Sequence, residues 1–94
     1  MVDTSRTGGL VPRYLDMHIV PPDQVTPEIL AAAHNQDIAV QDKYGVRYVK
    51  YWYDAATGRV FCLSDAPSKE AALAVHREAH GNMPDDIFEV EEFD

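Results

Sequence analysis

Two pairs of side chains in this sequence have the types and the spacing that bind a divalent metal. His34 and Asp37 are three residues apart, and His76 and His80 are four apart, so each pair shares one side of its segment if that segment is helical. Imidazole nitrogens and a carboxylate suit Zn²⁺, Ni²⁺, Cu²⁺ and Co²⁺. The alternative is that the histidines are buried and hydrogen-bonded to Asp37, Gln41 or backbone carbonyls.

A second set of candidate ligands lies in the strand-like parts of the sequence. Asp16 and His18 share a face of one strand, and Cys62 and Glu89 are expected to lie on the same face of the sheet. His18 and Cys62 are therefore further candidate metal ligands. Two simpler interpretations stand beside this one: Cys62 is a small buried apolar residue, and His18 is a polar residue of a dimer interface.

The segment 76–80 resembles a zinc-protease helix only superficially. In such a helix the general-base Glu directly follows the first His, whereas Arg77 occupies that position here. The sequence has no Gly-rich phosphate-binding loop. A Cys–His nucleophilic pair would need hydrogen-bond reach and an orienting group, which strand pairing does not establish. We therefore predict no catalytic residues.

The elements that must position these side chains follow from the hydrophobic pattern. Alternating, β-rich runs predict four strands, at 14–20, 46–53, 59–64 and 87–93. Helix signals separate the first strand from the second and the third from the fourth. The order βαββαβ predicts a ferredoxin-like α+β domain, in which both helices cover one face of a four-stranded antiparallel sheet.

The first helix is predicted over 27–43, with Thr26 as its N-cap and Gly45 as its stop. Its apolar arc also contains polar side chains, namely Asp37, Gln41 and, toward the edge, His34. Polar groups on a buried face need partners. This face therefore predicts a polar site between the helix and its neighbours.

The second helix repeats this pattern. It is predicted from the N-cap Ser68 to His80, with Gly81 as C-cap, and His76 lies within its apolar stripe. His80 lies one turn further on. Because the two helices are neighbours in this topology, we expect His34, Asp37, His76 and His80 to converge.

The face of the sheet that no helix covers is expected to carry extensive apolar surface. If Tyr53 pairs with Arg59, that face holds Tyr48, Trp52, Val60 and Cys62. Exposed apolar patches of this size usually mark contacts between proteins. We therefore predict a homodimer through the open sheet face.

Composition and charge argue against several classes of protein. Eight Lys and Arg residues against sixteen Asp and Glu residues give a net charge of −8, the wrong sign for nucleic-acid phosphates. No run approaches the roughly 18 apolar residues of a membrane span, and the N-terminus lacks the apolar region of a signal peptide. A lone cysteine cannot form an internal disulfide. We therefore expect a cytoplasmic protein that binds neither nucleic acid nor membranes.

The N-terminal segment is expected to lie outside the folded domain. Residues 1–12 are rich in small and polar residues without periodicity, and Leu10-Val11-Pro12-Arg13 is similar to a thrombin recognition sequence. We interpret 1–12 as a disordered leader or a cloning remnant. The ferredoxin-like domain is then predicted over 13–94.

Six segments resemble a family of small bacterial and archaeal proteins, long catalogued as a domain of unknown function and associated with nickel binding. They are AHNQD (33–37), QDKYGV (41–46), YWY (51–53), GRVFCL (58–63), APSKE (66–70) and AVHREAHG (74–81). The resemblance implies a ferredoxin-like homodimer that binds nickel, with no settled enzymatic activity. His34, His76 and His80 carry over with the matching motifs, whereas Asp37, His18 and Cys62 rest on geometry.

Three functions are compatible with the sequence, and the simplest is a purely structural interaction module, in which substituting these residues changes stability only. The other two involve a ligand. The first is a homodimer that sequesters or senses a divalent transition metal, nickel first and zinc as the alternative. The second is an enzyme of the dimeric α+β barrel kind, with a small organic substrate in an apolar pocket. In that enzyme His34 or His76 would act as general acid or base, with Asp37 fixing its tautomer.

Overall fold

The computed structural model describes residues 11–93, so residues 1–10 of the predicted leader lie outside it. The elements follow in the predicted order as β1 (Arg13–Ile19), α1 (Pro27–Val40), β2 (Arg47–Asp54), β3 (Arg59–Asp65), α2 (Lys69–Ala79) and β4 (Asp86–Val90). Short 3-10 turns at Pro22–Gln24 and Gln41–Tyr44 flank α1. The strand β4 ends earlier than the predicted residue 93, because its last residue pairs with the first residue of β1.

The four strands form one antiparallel sheet in the order β2-β3-β1-β4. The central strand β1 pairs Asp16 with Cys62 of β3. On the face of the sheet that carries Asp16 and Cys62, the Tyr48 hydroxyl of β2 donates to the Ala72 carbonyl of α2. On the same side, Asp37 of α1 contacts His76 of α2. Both helices therefore pack on the same side, and the predicted ferredoxin-like fold is confirmed.

Local signals fix the ends of α1. Thr26 Oγ1 accepts from Ile29 N at 3.2 Å, the expected N-cap hydrogen bond. The α-helix ends at Val40, before the predicted residue 43, and continues as the 3-10 turn up to Gly45, which has a φ of 69°. Gln41 Oε1 accepts from Tyr48 N at 2.8 Å, so the side chain of this turn is bonded to the start of β2.

The ends of α2 match the prediction closely. Ser68 Oγ accepts from Ala71 N at 3.1 Å at its start. At its end, the His76 carbonyl accepts from His80 N at 3.1 Å and from Gly81 N at 2.8 Å. Gly81 has a φ of 78°, the left-handed conformation that glycine adopts most readily. This C-cap fixes the helical turn that connects His76 to His80.

The predicted content of the open face is wrong for three of its four residues. Tyr48, Val60 and Cys62 are buried on the face that the helices cover, and they belong to the hydrophobic core. Trp52 lies on the open face, where its neighbour across the hairpin is Phe61. The core beneath the helices is therefore larger than expected, and the open face has a different composition.

The register of the β2–β3 hairpin explains this error. Asp54, and not Tyr53, pairs with Arg59. A slip of one residue exchanges the two faces of a strand. An irregularity in the pairing between Tyr48 and Lys50 then keeps Tyr48 on the covered face, as a β-bulge does.

The open face nevertheless carries exposed apolar side chains. Trp52 and Phe88 are each 48% exposed. Strand pairing aligns the apolar residues of this face, which include Leu15, Met17, Ile19, Trp52, Phe61, Leu63, Phe88 and Val90. In the described part of the chain, no helix is long and apolar enough to cross a membrane.

A close backbone contact joins the hairpin to the end of β1. Val20 N donates to the Gly58 carbonyl at 2.7 Å, and Gly58 has a φ of 75°. A Cβ atom on residue 58 would collide with the Val20 carbonyl oxygen and would also contact Pro22. Only glycine fits this position, where the chain leaves the sheet toward α1.

Candidate metal centre

His76 is the centre of a buried polar cluster between the helices and the sheet. The residue is 1% exposed. Its Nδ1 lies 2.9 Å from Asp37 Oδ1 of α1, and its Nε2 lies 3.0 Å from Asp16 Oδ2 of β1. One imidazole thus connects a carboxylate on the helix layer to a carboxylate on the sheet.

Two more histidines extend this arrangement at its ends. His18 Nε2 lies 2.9 Å from Asp16 Oδ1, and His80 Nε2 lies 3.1 Å from Asp37 Oδ1. The order in space is His18, Asp16, His76, Asp37, His80, which alternates imidazoles with carboxylates. We call these five residues the His–Asp chain.

The periodicity of three elements brings the His–Asp chain together. Asp16 and His18 are two residues apart on β1, so both point to the covered face. His76 and His80 are one helical turn apart in α2, and Asp37 lies on the side of α1 that faces them. The two-residue period of the strand and the helical turn therefore direct all five side chains to the same place between the sheet and the helices.

The covered face supplies two further polar groups beside His76. The Tyr48 hydroxyl lies 3.4 Å from Asp16 Oδ2, a long contact beside its 3.1 Å bond to the Ala72 carbonyl. The Cys62 thiol is buried in the strand next to Asp16. Asp16 Oδ1 is fully buried, and no described group donates a well-aligned hydrogen bond to it.

Opposite charges set the protonation of His76 and of the two carboxylates beside it. Burial alone would lower the pKa of His76, but its hydrogen bonds to Asp16 and Asp37 outweigh burial and raise that pKa to about 11. Burial alone would raise the pKa of both carboxyl groups, but the hydrogen bond that each accepts from His76, together with the nearby His18 or His80, holds each pKa below its ordinary value. At neutral pH an imidazolium therefore lies between two carboxylates in the metal-free protein.

The thiol and the phenol beside the chain are neutral. Burial raises the pKa of Cys62 to about 11, and burial likewise raises the pKa of Tyr48. A thiol ligates a metal as the thiolate, so an ion bound at Cys62 would have to displace its proton.

Ligand atoms in this region form two overlapping groups. Asp16, His18, Cys62 and His76 each offer one atom, all within 4.8 Å of one another. Asp37, His76 and His80 form a second group, whose ligand atoms also lie within 4.8 Å of one another. We call the first set the four-residue group and the second the three-residue group. His76 belongs to both groups because its two ring nitrogens face opposite carboxylates.

A cavity of about 500 Å³ opens onto these groups. Four residues of the His–Asp chain line it together with Cys62, namely His18, Asp37, His76 and His80, and the remaining wall is largely apolar. The cavity gives a small solute a route from solvent to both groups.

The chain matches the family described as "Nickel responsive protein SCO4226-like" over residues 14–90. It belongs to this family. A solved structure, described as the crystal structure analysis of SCO4226 from Streptomyces coelicolor A3(2), shares 35% sequence identity with it and has a TM-score of 0.79. That match covers 87% of this chain and 99% of the other. No curated protein matches the chain.

Membership of the SCO4226-like family confirms the resemblance inferred from the sequence. The family match includes every residue of the His–Asp chain and Cys62, since all lie between residues 14 and 90. The family description names nickel, and the donor types present here, imidazole, carboxylate and thiol, suit that metal.

The structure places five of the six predicted ligands together. Asp37, His76 and His80 converge as expected, and His18 and Cys62 lie in the overlapping group. His18 is buried beneath the helices, so its alternative interpretation as a residue of the open-face interface is wrong. Its ring meets the His76 ring edge-on, with centroids 5.0 Å apart.

His34 lies apart from the two ligand groups of the described chain. It lies one turn before Asp37 on α1 and lines the cavity. Its ring centroid is 4.8 Å from that of Tyr51 on β2. Its spacing from Asp37 predicts a shared helix side, but the side chain contacts the sheet instead of α2.

Asp16 is a residue of the second candidate set that we did not predict as a ligand. The sequence does place it beside His18 on one face of β1. Strand alternation defines two faces without identifying the covered one, and the opposite face carries the apolar Leu15 and Met17. The signal for Asp16 in the sequence is its position two residues before His18, and the structure adds its pairing with Cys62.

Proposed function

We propose that this protein binds a divalent transition metal, nickel first, through His76 and the ligand groups on either side of it. The observation that carries the proposal is the His–Asp chain, in which three imidazoles and two carboxylates meet in the interior. Buried polar groups in such number require either mutual pairing or a metal. The nickel named in the family description supports the metal.

The donor set fits such an ion on chemical grounds. The four-residue group offers two nitrogens, one sulfur and one oxygen, including the fully buried Asp16 Oδ1 that has no well-aligned donor among the described residues. If the ion binds His76 at Nε2, the Asp37 carboxylate still accepts from Nδ1 and orients the ring. Nickel and zinc both accept these donors, and we place nickel first because of the family description.

The three-residue group requires one local change before it can bind an ion. Asn82 N donates to His80 Nδ1 at 3.0 Å, which leaves the proton of a neutral His80 on Nε2, facing Asp37. Ligation through Nε2 would move that proton to Nδ1 and break this contact. Asn82 is exposed, and a Cβ atom at the preceding Gly81 would meet nothing within 4 Å, so open space lies beside this contact.

Isothermal titration of the metal-free protein with Ni²⁺ and Zn²⁺ tests the proposal. We expect saturable binding tighter than millimolar, and a loss of about 100-fold or more in His76→Ala, because both groups need this residue. His80→Ala weakens only the three-residue group and Cys62→Ser only the four-residue group, so the two variants identify the occupied set.

His34→Ala is the matched control for that titration. His34 lines the same cavity, but it belongs to neither ligand group of the described residues. We therefore expect this variant to bind the metal with near-normal affinity. Absence of binding in the parent protein, or equal affinity of His76→Ala and His34→Ala, would falsify the proposal.

We further propose that the protein acts in the cytoplasm as a homodimer that sequesters or senses the metal. The aligned apolar residues of the open face, with Trp52 and Phe88 half exposed, support self-association. The metal groups lie on the opposite face of the sheet. Dimerisation therefore leaves the cavity accessible.

The cavity beside His76 favours a second candidate function, acid–base catalysis on a small organic substrate. We place this second, because a His76 that keeps its proton up to a pKa of about 11 does not accept one at neutral pH. Soaking metal-free crystals with small organic acids tests it. A molecule within hydrogen-bond reach of His34 or His76 would support catalysis, and an empty cavity would argue against it.

A further inference from the structure

The cavity above the His–Asp chain is larger than a metal ion needs. Its volume of about 500 Å³ falls within the roughly 300–1,000 Å³ of small-molecule sites. Much of its wall is apolar and comes from the loop after β1, from α1 and from the segment after α2. These residues are Val20, Val25, Ile29, Leu30, Ala33 and Met83.

Part of this wall is apolar surface without a partner in the described chain. Ile29 is 52% exposed and Met83 is 37% exposed, and both line the cavity. An ion gains nothing from aliphatic side chains, whereas the carbons of an organic molecule bind them by leaving water. The wall therefore indicates an occupant that contains carbon.

We propose that the cavity binds a small organic chelator together with the metal. Its head is a bidentate oxygen or nitrogen donor that faces the His–Asp chain, and its body is an apolar group of a few carbons against Ile29 and Val25. This inference rests on the proposed metal binding. The protein groups supply three or four ligands, and a tetragonal Ni²⁺ accepts additional donors.

The charge of the site makes binding of the chelator depend on the metal. The carboxylates of Asp16 and Asp37 repel an anionic head in the metal-free protein, where they already share the charge of His76. A bound divalent cation displaces the His76 proton and offsets the two carboxylates, and it offers the anionic head a direct coordination bond. The chelator is therefore expected to bind the loaded protein and not the metal-free protein.

A series of alkyl hydroxamates tests the proposal with defined probes. The full chain is first titrated with Ni²⁺ alone, and the loaded protein is then titrated with aceto-, butano- and hexanohydroxamate, followed by calorimetry and by the ligand-field absorption of nickel. We expect affinity to increase about fourfold for each added methylene. The metal-free protein should show no saturable binding.

Two isoleucines on α1 provide a matched pair of variants. Ile29 lines the cavity, whereas Ile38 is also exposed, at 43%, but lies outside it. Ile29→Ser should at least halve the gain in affinity per methylene, and Ile38→Ser should leave it unchanged. Because both side chains are exposed, neither variant is expected to unfold the protein.

The outcomes separate this inference from the proposed metal binding. If Ni²⁺ alone does not bind, the proposed function fails first. If Ni²⁺ binds but affinity is independent of chain length, if Ile29→Ser and Ile38→Ser behave alike, or if the hydroxamate removes nickel from the protein, only the chelator proposal is overturned.

Discussion

At the scale of single residues, both ligand groups and the pairing of two buried carboxylates depend on one buried histidine. His76 pairs with Asp37 on one side and with Asp16 on the other, so neither carboxylate is left as an unpaired buried charge. The helical spacing predicted Asp37, His76 and His80 as polar residues on buried faces. The role of Asp16 did not follow, because it depends on which face of β1 the helices cover.

A neutral substitution of Asp37 tests the part that its charge plays. Whether Asp37 ligates the ion or holds the His76 ring, Asp37→Asn should weaken nickel binding about 10- to 100-fold. Asp42→Asn makes the same change in net charge at an exposed position of the adjacent turn and should bind normally. Calorimetric titration of both variants decides, and equal affinities would show that the charge of Asp37 has no specific role.

At the scale of elements, the sequence predicted the ends of helices better than the faces of strands. Thr26 and Ser68 cap their helices through their own side chains, and this chemistry is local. The face assignment of Val60 and Cys62 depended on the hairpin register and on an irregularity within β2. Both features arise from pairing between strands, which hydrophobic alternation along one strand does not encode.

Two glycines allow the cost of an unfavourable backbone conformation to be measured apart from the cost of a steric collision. Gly58 and Gly81 both have a positive φ, but only at Gly58 would a Cβ atom meet neighbouring atoms within 4 Å. Gly81→Ala should lower the free energy of unfolding by about 1 kcal/mol, and Gly58→Ala should lower it at least twice as much. Chemical denaturation of the metal-free variants measures both, and similar losses would contradict the close contact with Val20.

At the scale of the whole molecule, the two faces of the sheet carry different kinds of residues. The covered face holds the ligand groups, and the open face holds the exposed apolar residues. The sequence predicted that such an open face exists, but it assigned the wrong residues to it, apart from Trp52. The apolar residues that the structure places on the open face, and that support self-association, include Trp52, Phe61 and Phe88.

A charge on the open face should disrupt the proposed dimer. The parent chain of 10.5 kDa should elute with twice that mass by light scattering, and Trp52→Glu should elute as a monomer. Ile38→Glu places the same charge on exposed α1 and should remain dimeric. A monomeric parent protein, or a dimeric Trp52→Glu, would contradict an interface at this face.

The most direct measurement of the central claim is anomalous diffraction at the nickel absorption edge from crystals grown with Ni²⁺. We expect a strong anomalous peak about 2 Å from a ring nitrogen of His76, with further donors from one of its two ligand groups. A peak only at exposed acidic residues such as Asp85 and Asp86, with His76 still bonded to both carboxylates, would contradict it.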